Sequence, residues 1–268
     1  MWQARLDALT VASELSPSSR SDALPAFSPD GTSIAFVSNR SGNPEIWVVG
    51  LDGGEATRIT NNAQVRGRPD WSPDGSHLVY ASANFSPFGP AIVPITGGSS
   101  TKLQVGSELA VFPLWSRDGK FIYYTSGFQL WRIRRDGGAP FALIDGDRYL
   151  PVGESPDGRG IYCVRRGDPY SLYQIPRNGG PAELIETGLA TTEVAATKSA
   201  LYFVRDKDNA LYRLPFHGGP SKKLGVLPMP SGGANRVLSG VTVSPDDAKI
   251  VWATKDHQID LVLIRDFQ

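Results

Sequence analysis

A short motif returns along this chain at a nearly fixed interval, and that interval narrows the folds open to it. Ser-Pro-Asp-Gly stands at 28–31, 72–75 and 155–158, with Ser-Arg-Asp-Gly at 116–119 and Ser-Pro-Asp-Asp at 244–247. Successive starts lie 44, 44, 39 and 89 residues apart. The long gap holds one unit that has lost its signature, near Thr197-Lys198-Ser199-Ala200. Gly-Gly pairs at 53–54, 97–98, 137–138, 179–180 and 218–219 run in phase with the first marker. A repeat of ~40–45 residues built from four strands is the pattern of a β-propeller.

Each unit parses in the same way. Strand a is short and runs into the motif, as in Pro25-Ala26-Phe27-Ser28. Strand b is a near-continuous apolar run: Ile34–Ser38, Leu78–Ala81, Ile122–Thr125, Ile161–Val164, Leu201–Val204 and Ile250–Ala253. Such runs suit strands covered on both faces. Strand c alternates more, as in Leu130-Trp131-Arg132-Ile133, and Gly-Gly turns it into an outer strand d. In the a–b turn, proline fixes φ, aspartate accepts backbone hydrogen bonds and glycine takes φ > 0. Asp30, Asp74, Asp118 and Asp157 therefore read as turn-builders and not as catalysts. Much of the excess among the 29 Gly and 21 Pro sits in this turn and in the Gly-Gly turn of each unit.

Lys+Arg and Asp+Glu both number 27, so the net charge is zero and the chain has no long-range field for nucleic acid or an anionic membrane. One cysteine, Cys163, excludes an internal disulfide and a multi-cysteine zinc site. No Gly-x-Ser-x-Gly elbow appears, and the three histidines, His77, His217 and His257, fall in separate parts of the repeat. No apolar run reaches ~18 residues, and Met1–Asp7 lacks the basic and apolar regions of a signal peptide.

Phe27-Ser-Pro-Asp-Gly-x-x-Ile-Ala-Phe-Val-Ser, then Glu45-Ile46-Trp47, Asp52-Gly53-Gly54 and Arg58-Ile59-Thr60, resembles the TolB-type, WD40-like propeller repeat named for its Pro-Asp dipeptide. The resemblance covers nearly the whole chain. It implies a propeller acting in protein complexes, at the cell envelope for TolB-like relatives. The closing segment Ile259–Phe267 also resembles the end of the propeller halves of bacterial winged-helix regulators and Ser/Thr kinases.

The expected fold is a single all-β domain over 1–268. It is a six-bladed propeller of four-stranded blades at 24–60, 68–105, 112–145, 151–187, 192–227 and 239–268, and the alternative is an incomplete seven-bladed ring. Residues 1–16 form a partial unit. In this expectation the C-terminal segment supplies strand c of the last blade and Ala12–Ser16 closes it as strand d. Met1–Asp7, which matches Leu130–Asp136, is then a surplus strand c, and the chain reads as a fragment or truncated product.

Function is expected on the loops that vary between repeats. The d–a and b–c loops form one face, and segments entering the channel there carry Asp22, Arg66, Arg68, Glu108, Asp147, Arg148, Glu193 and Arg236. A mixed-charge rim around a concave opening suits a protein, peptide or small polar ligand. The expectation is a non-enzymatic scaffold or sensor with no cofactor or metal, and no nucleic-acid or membrane contact by this domain. The compartment is periplasmic, at the cell envelope, or cytoplasmic. The rival is a propeller hydrolase or lyase using channel carboxylates such as Asp147 and Glu193.

Overall fold

The computed structural model describes residues 1–18, 20–106, 109–216, 218–228 and 236–256, and every regular element among them is a β-strand. The chain opens with β1 (Trp2–Arg5) and β2 (Ala8–Glu14). Three four-stranded antiparallel sheets then follow in sequence order. The first is β3 (Asp22–Phe27), β4 (Ser33–Ser38), β5 (Glu45–Gly50) and β6 (Thr57–Arg58). The second is β7 (Val65–Trp71), β8 (His77–Ser82), β9 (Gly89–Pro94) and β10 (Thr101–Lys102). The third is β11 (Ala110–Trp115), β12 (Phe121–Ser126), β13 (Gln129–Arg134) and β14 (Phe141–Ile144).

The next sheet holds seven strands: β15 (Tyr149–Glu154), β16 (Gly160–Arg165), β17 (Tyr170–Pro176), β18 (Glu183–Ala196), β19 (Ala200–Arg205), β20 (Ala210–Pro215) and β21 (Lys222–Val226). The cause is β18. Its first half pairs with β17 as an outer strand, and its second half pairs with β19 as an inner one. Finally β22 (Arg236–Val243) and β23 (Lys249–Asp256) join the N-terminal strands in the order β2-β1-β23-β22. The innermost strands pack in a closed circuit, β3 on β7, β7 on β11, β11 on β15, β15 on β18, β18 on β22 and β22 on β3.

The b strands explain the core. Ile34, Leu78, Ile122, Ile161, Leu201 and Ile250 hold one repeat position and are at most 1% exposed. Their neighbours point to the next sheet, so Ala35 and Ile46 meet Leu78, Tyr80 and Ala91 across the gap between the first two sheets. Full burial of such side chains contributes ~1.5–3 kcal/mol each.

The turns take the expected form. Ser28 Oγ and the Thr32 N–H both donate to Asp30 Oδ1, at 2.5 and 3.0 Å, and the Ser33 N–H donates to Ser28 Oγ at 3.0 Å. The fourth position needs φ > 0, near +70° at Gly31, Gly75, Gly119 and Gly158. At the last turn Asp247 takes it at +58°, as a short polar side chain tolerates. Hydrogen bonds from Ser72, then Ser76, hold the Asp74 carboxyl well below the usual carboxylate range. Asp74→Ala should cost ~1–2 kcal/mol at pH 7. Because the folded-state pKa is depressed, that difference is full above pH ~4 and fades as acid protonates the carboxylate. Urea unfolding of both proteins at pH 7 and pH 2.5 checks this; a cost unchanged at low pH would contradict it.

One expectation is corrected at the N-terminus. Trp2–Arg5 is not surplus. It pairs with β23 in the register Trp2↔Trp252, Gln3↔Val251, Ala4↔Ile250 and Arg5↔Lys249. The place assigned to the C-terminal segment is thus taken by β1, with β2 outside it. Residues 257–268, which carry the predicted C-terminal strand c and His257, lie outside the described residues, as does His217.

Candidate functional site

The inner strands run from the d–a loops down to the Ser-Pro-Asp turns, so equivalent positions form layers around an axis. Every inner strand carries a register shift part-way along. Such bulges bend a strand and re-aim its side chains. Four residues before each turn's Ser (or Thr197) the layer reads Leu24, Arg68, Phe112, Pro151, Glu193 and Gly240. Arg68 and Glu193 come from the second and fifth turn-bearing repeats and meet across the axis, with Nη1 and Oε2 3.9 Å apart. Arg68 also donates to the Val194 carbonyl at 3.2 Å and the Val152 carbonyl at 3.5 Å.

This crossing divides the channel. On the loop side lies a small space of about 20 Å³, lined by Phe112, Leu150 and Thr192 among others. On the turn side a cavity of about 390 Å³ opens, lined by Asp70, Trp71, Arg117, Glu154 and Lys198, with Pro29, Pro73 and Pro245 at its rim. This cavity opens on the face whose repeats are most alike.

The polar groups of this cavity have definite partners. Glu154 is 4% exposed. It accepts the Arg117 N–H at 2.6 Å and the Tyr123 hydroxyl at 2.8 Å, and Arg177 Nε lies 3.3 Å away. Arg117 Nε donates to the Glu154 carbonyl at 3.1 Å, and Nη2 reaches the Thr197 carbonyl at 2.8 Å. The guanidinium thus straps three successive repeats at the cavity wall. Asp70 accepts the Trp115 N–H at 2.7 Å. Burial pushes its carboxyl up to about 6, against the opposing pull of that N–H and of Arg68. Burial also raises Glu193, again opposed by Arg68.

A raised carboxyl binds protons more tightly in the folded chain than in the unfolded one. Its stabilising effect is therefore present below pH ~4 and is lost as pH rises through about 6. Asp70→Asn keeps an acceptor for Trp115 and removes the buried charge. The variant should gain on wild type by ~2–3 kcal/mol between pH 4.5 and 7.5. A difference that stays flat in chemical unfolding across that range would refute the assignment.

The predicted rim residues scatter. Asp22 is buried and paired with Arg40 at 2.7 Å, whose guanidinium lies over Phe36 and Trp47. Asp147 pairs with Arg165 at 3.2 Å on the surface, Arg148 lies over Phe128, and Arg66 is exposed. Arg236 begins β22, and Glu108 lies outside the described residues. Arg68 and Glu193 are the pair brought together. Asp70, Arg117, Glu154 and Lys198 were not anticipated. The available signal was departure from the repeat: Arg117 replaces the turn proline, Glu154 stands where Phe27, Trp71 and Trp115 stand, and Lys198 belongs to the turn that lost its motif. Among the described residues no three His, Cys, Asp or Glu converge as metal ligands, and no helix is long and apolar enough to cross a membrane.

The PD40 family, described as the TolB beta propeller domain, matches residues 9–89. A structure assigned as TolB from Agrobacterium tumefaciens superposes with a TM-score of 0.74 at 19% identity, covering 95% of this chain and 97% of that one. The chain is a TolB-like β-propeller. TolB from Acinetobacter baumannii shares the propeller with a TM-score of 0.65 at 19% identity, over 92% of this chain and 57% of that one. The Tol-Pal system protein TolB of Bordetella pertussis is 60% identical to the TolB-like propeller over 35 residues. That match is 13% of this chain and spans only 8% of the curated relative's length. An oligogalacturonate lyase from Vibrio parahaemolyticus has the same fold with a TM-score of 0.57 at 13% identity, over 90% of this chain and 91% of that one. The fold is thus shared by TolB proteins and by a lyase, so fold alone does not assign a function and the site must decide.

Proposed function

We propose that this TolB-like propeller is a six-bladed, non-enzymatic scaffold that seats part of a protein partner in its turn-side cavity. The closed circuit of inner strands supports the ring of six. The observation that carries the binding role is the cavity of about 390 Å³ at the ring axis, walled by every inner strand and open to one face. Trp71 and three rim prolines give it apolar contact surface, and Arg117 and Lys198 give it charge. Two facts favour binding over hydrolysis or elimination. Glu154 is already committed to Arg117, Tyr123 and Arg177, and Glu193 lies behind the Arg68 crossing. Asp70 is left without a second free carboxylate, whereas acid–base work on a glycosidic bond needs two. A protein partner at the cell envelope accords with the Tol-Pal name of the Bordetella relative.

Affinity capture from extracts of the source organism tests the reading. The full chain is compared with an Arg117→Ala/Lys198→Glu double variant and with Arg66→Glu. Recovery of a specific partner should fall at least tenfold for the double variant and stay unchanged for Arg66→Glu. Loss with Arg66→Glu alone would move the site to the opposite rim. Equal recovery by all three would remove both faces from consideration.

A further inference from the structure

The residue directly after strand c has a fixed place in each repeat. Its N–H donates to the carbonyl just before strand b: Leu51 to Thr32, Ile95 to Ser76, Arg135 to Lys120, Arg177 to Arg159 and Phe216 to Ser199. That shared bond makes these positions equivalent. Two of them are arginines. Arg135 lies over Trp115, with its guanidinium 5.4 Å from the ring centre. Arg177 reaches back to the turn of the preceding repeat. Its Nη2 donates to Asp118 at 2.7 Å, and its Nε lies 3.3 Å from Glu154.

In the second turn-bearing repeat the residue is Ile95, and it lines a groove of about 420 Å³ between that repeat and the first. The groove reproduces the surroundings of the two arginines. Asp30 belongs to the preceding turn, as Asp118 does for Arg177, and Trp71 stands where Trp115 lies under Arg135. Val48, Pro29 and Pro73 extend the apolar lining. The Trp71 indole N–H donates to the Ala26 carbonyl at 3.0 Å, which fixes the ring as a wall. Hydrogen bonds from Ser28, then from the Thr32 N–H, hold the Asp30 carboxyl below its ordinary value, so it is an anion at neutral pH. Asp118 pairs with Arg177 and Asp157 with Arg159, whereas Asp30 has no lysine or arginine partner among the described residues. Asp74 adds a second carboxylate to the groove, with His77 near it.

We propose that this groove receives an arginine side chain of the protein partner, set against Asp30 as Arg177 is set against Asp118 and against Trp71 as Arg135 is against Trp115. The proposal rests on the reading that the partner enters the axial cavity, because Ser28, Pro29, Trp71 and Pro73 line both spaces and one extended segment spans them. The methylene stem lies along Val48 and Ile95, and the planar guanidinium meets the indole and the carboxylate together. The two spaces differ in sign. Arg117 and Lys198 in the cavity favour an acidic group, and Asp30 and Asp74 in the groove favour a basic one. Such complementarity sets the direction in which the segment lies across the ring.

Nuclear magnetic resonance titration of the full chain with acetyl-Gly-Arg-Gly-amide at pH 7.5 tests the groove without the partner. The amide of Thr32, which donates to Asp30, and the Trp71 indole N–H should shift saturably. The citrulline analogue has the same shape without the charge and should bind at least tenfold more weakly. Asp30→Asn keeps an acceptor for the turn and should weaken the arginine peptide at least tenfold. Ile95→Arg supplies the side chain from the chain itself, as the next two repeats do, and should abolish the shifts. Asp157→Asn alters a turn that does not line the groove and should leave them unchanged. No shift at Trp71, equal affinity for the citrulline peptide, or undiminished binding by a folded Ile95→Arg variant would each overturn the proposal. If Ile95→Arg melts far below wild type, Asp30→Asn decides. In the affinity capture, Ile95→Arg should lower recovery at least tenfold, as the Arg117→Ala/Lys198→Glu variant does. Full recovery by Ile95→Arg beside loss by the double variant would sink the groove and leave the cavity reading intact. The opposite pattern would remove the cavity reading and leave the groove.

Discussion

Glu154→Ala should lower the stability of the chain by ~3–5 kcal/mol, because it strips three donors of a buried acceptor at once. The carboxylate sits at the cavity wall with its side chain 1% exposed. The Arg117 N–H, the Tyr123 hydroxyl and Arg177 Nε all converge on it. Alanine leaves the tyrosine hydroxyl buried without an acceptor and Arg177 with Asp118 as its remaining carboxylate, at 2.7 Å. Asp118 persists as an anion: its partial burial is outweighed by hydrogen bonds from Ser116 and Arg177, which bring its carboxyl down to about 2. Glu154→Gln keeps the shape and two of the contacts and should cost about half as much. Urea unfolding of the two variants against wild type separates the cases. An alanine variant within ~1 kcal/mol of wild type would mean the network contributes little.

Trp252→Ala carries the second large effect, ~3–5 kcal/mol for deleting a fully buried aromatic. Trp252 is 0% exposed and packs with Leu9, Tyr202 and Val241, with Trp2 beside it. Its loss acts on closure as well as on the core. β1 and β2 are held to the last blade through β23, so a cavity there loosens the seam between the two ends of the chain. Trypsin cleavage after Arg5 should accelerate at least tenfold under native conditions, before cleavage elsewhere. Arg58 and Lys102 lie on the outer strands β6 and β10 and have no such coupling to the seam. Cleavage spread evenly over those strands as well would show global loosening instead.

The strands were legible because their turns announce them. Pro29, Asp30 and Gly31 each have a single geometric task; the aspartate returns in all five copies of the motif, and the proline and the glycine in four each. Even the register of the N-terminal strand was present in the match of Met1–Asp7 to Leu130–Asp136. Its partner was misassigned because two segments carry the same pattern and sequence does not rank them. The rim site was less legible. A ring brings together residues far apart in the chain, such as Arg68 and Glu193, while other loop residues, such as Asp22 and Asp147, turn to local partners Arg40 and Arg165. The cavity lay on the uniform face, and its residues are those that break the uniformity: Arg117, Glu154 and Lys198.

The unbroken run of β18 bears on how the ring comes apart. Between β6 and β7 and between β14 and β15 a loop separates the outer strand of one sheet from the inner strand of the next. Glu183–Ala196 is outer strand to β17 and inner strand to β19, so its two sheets share one backbone. Native-state opening there should take Tyr149–Val226 as one cooperative unit, and hydrogen exchange should then give amides in β16 and β19 a common free energy. The propeller therefore has fewer independent parts than its repeats suggest, and its joints lie at the other seams.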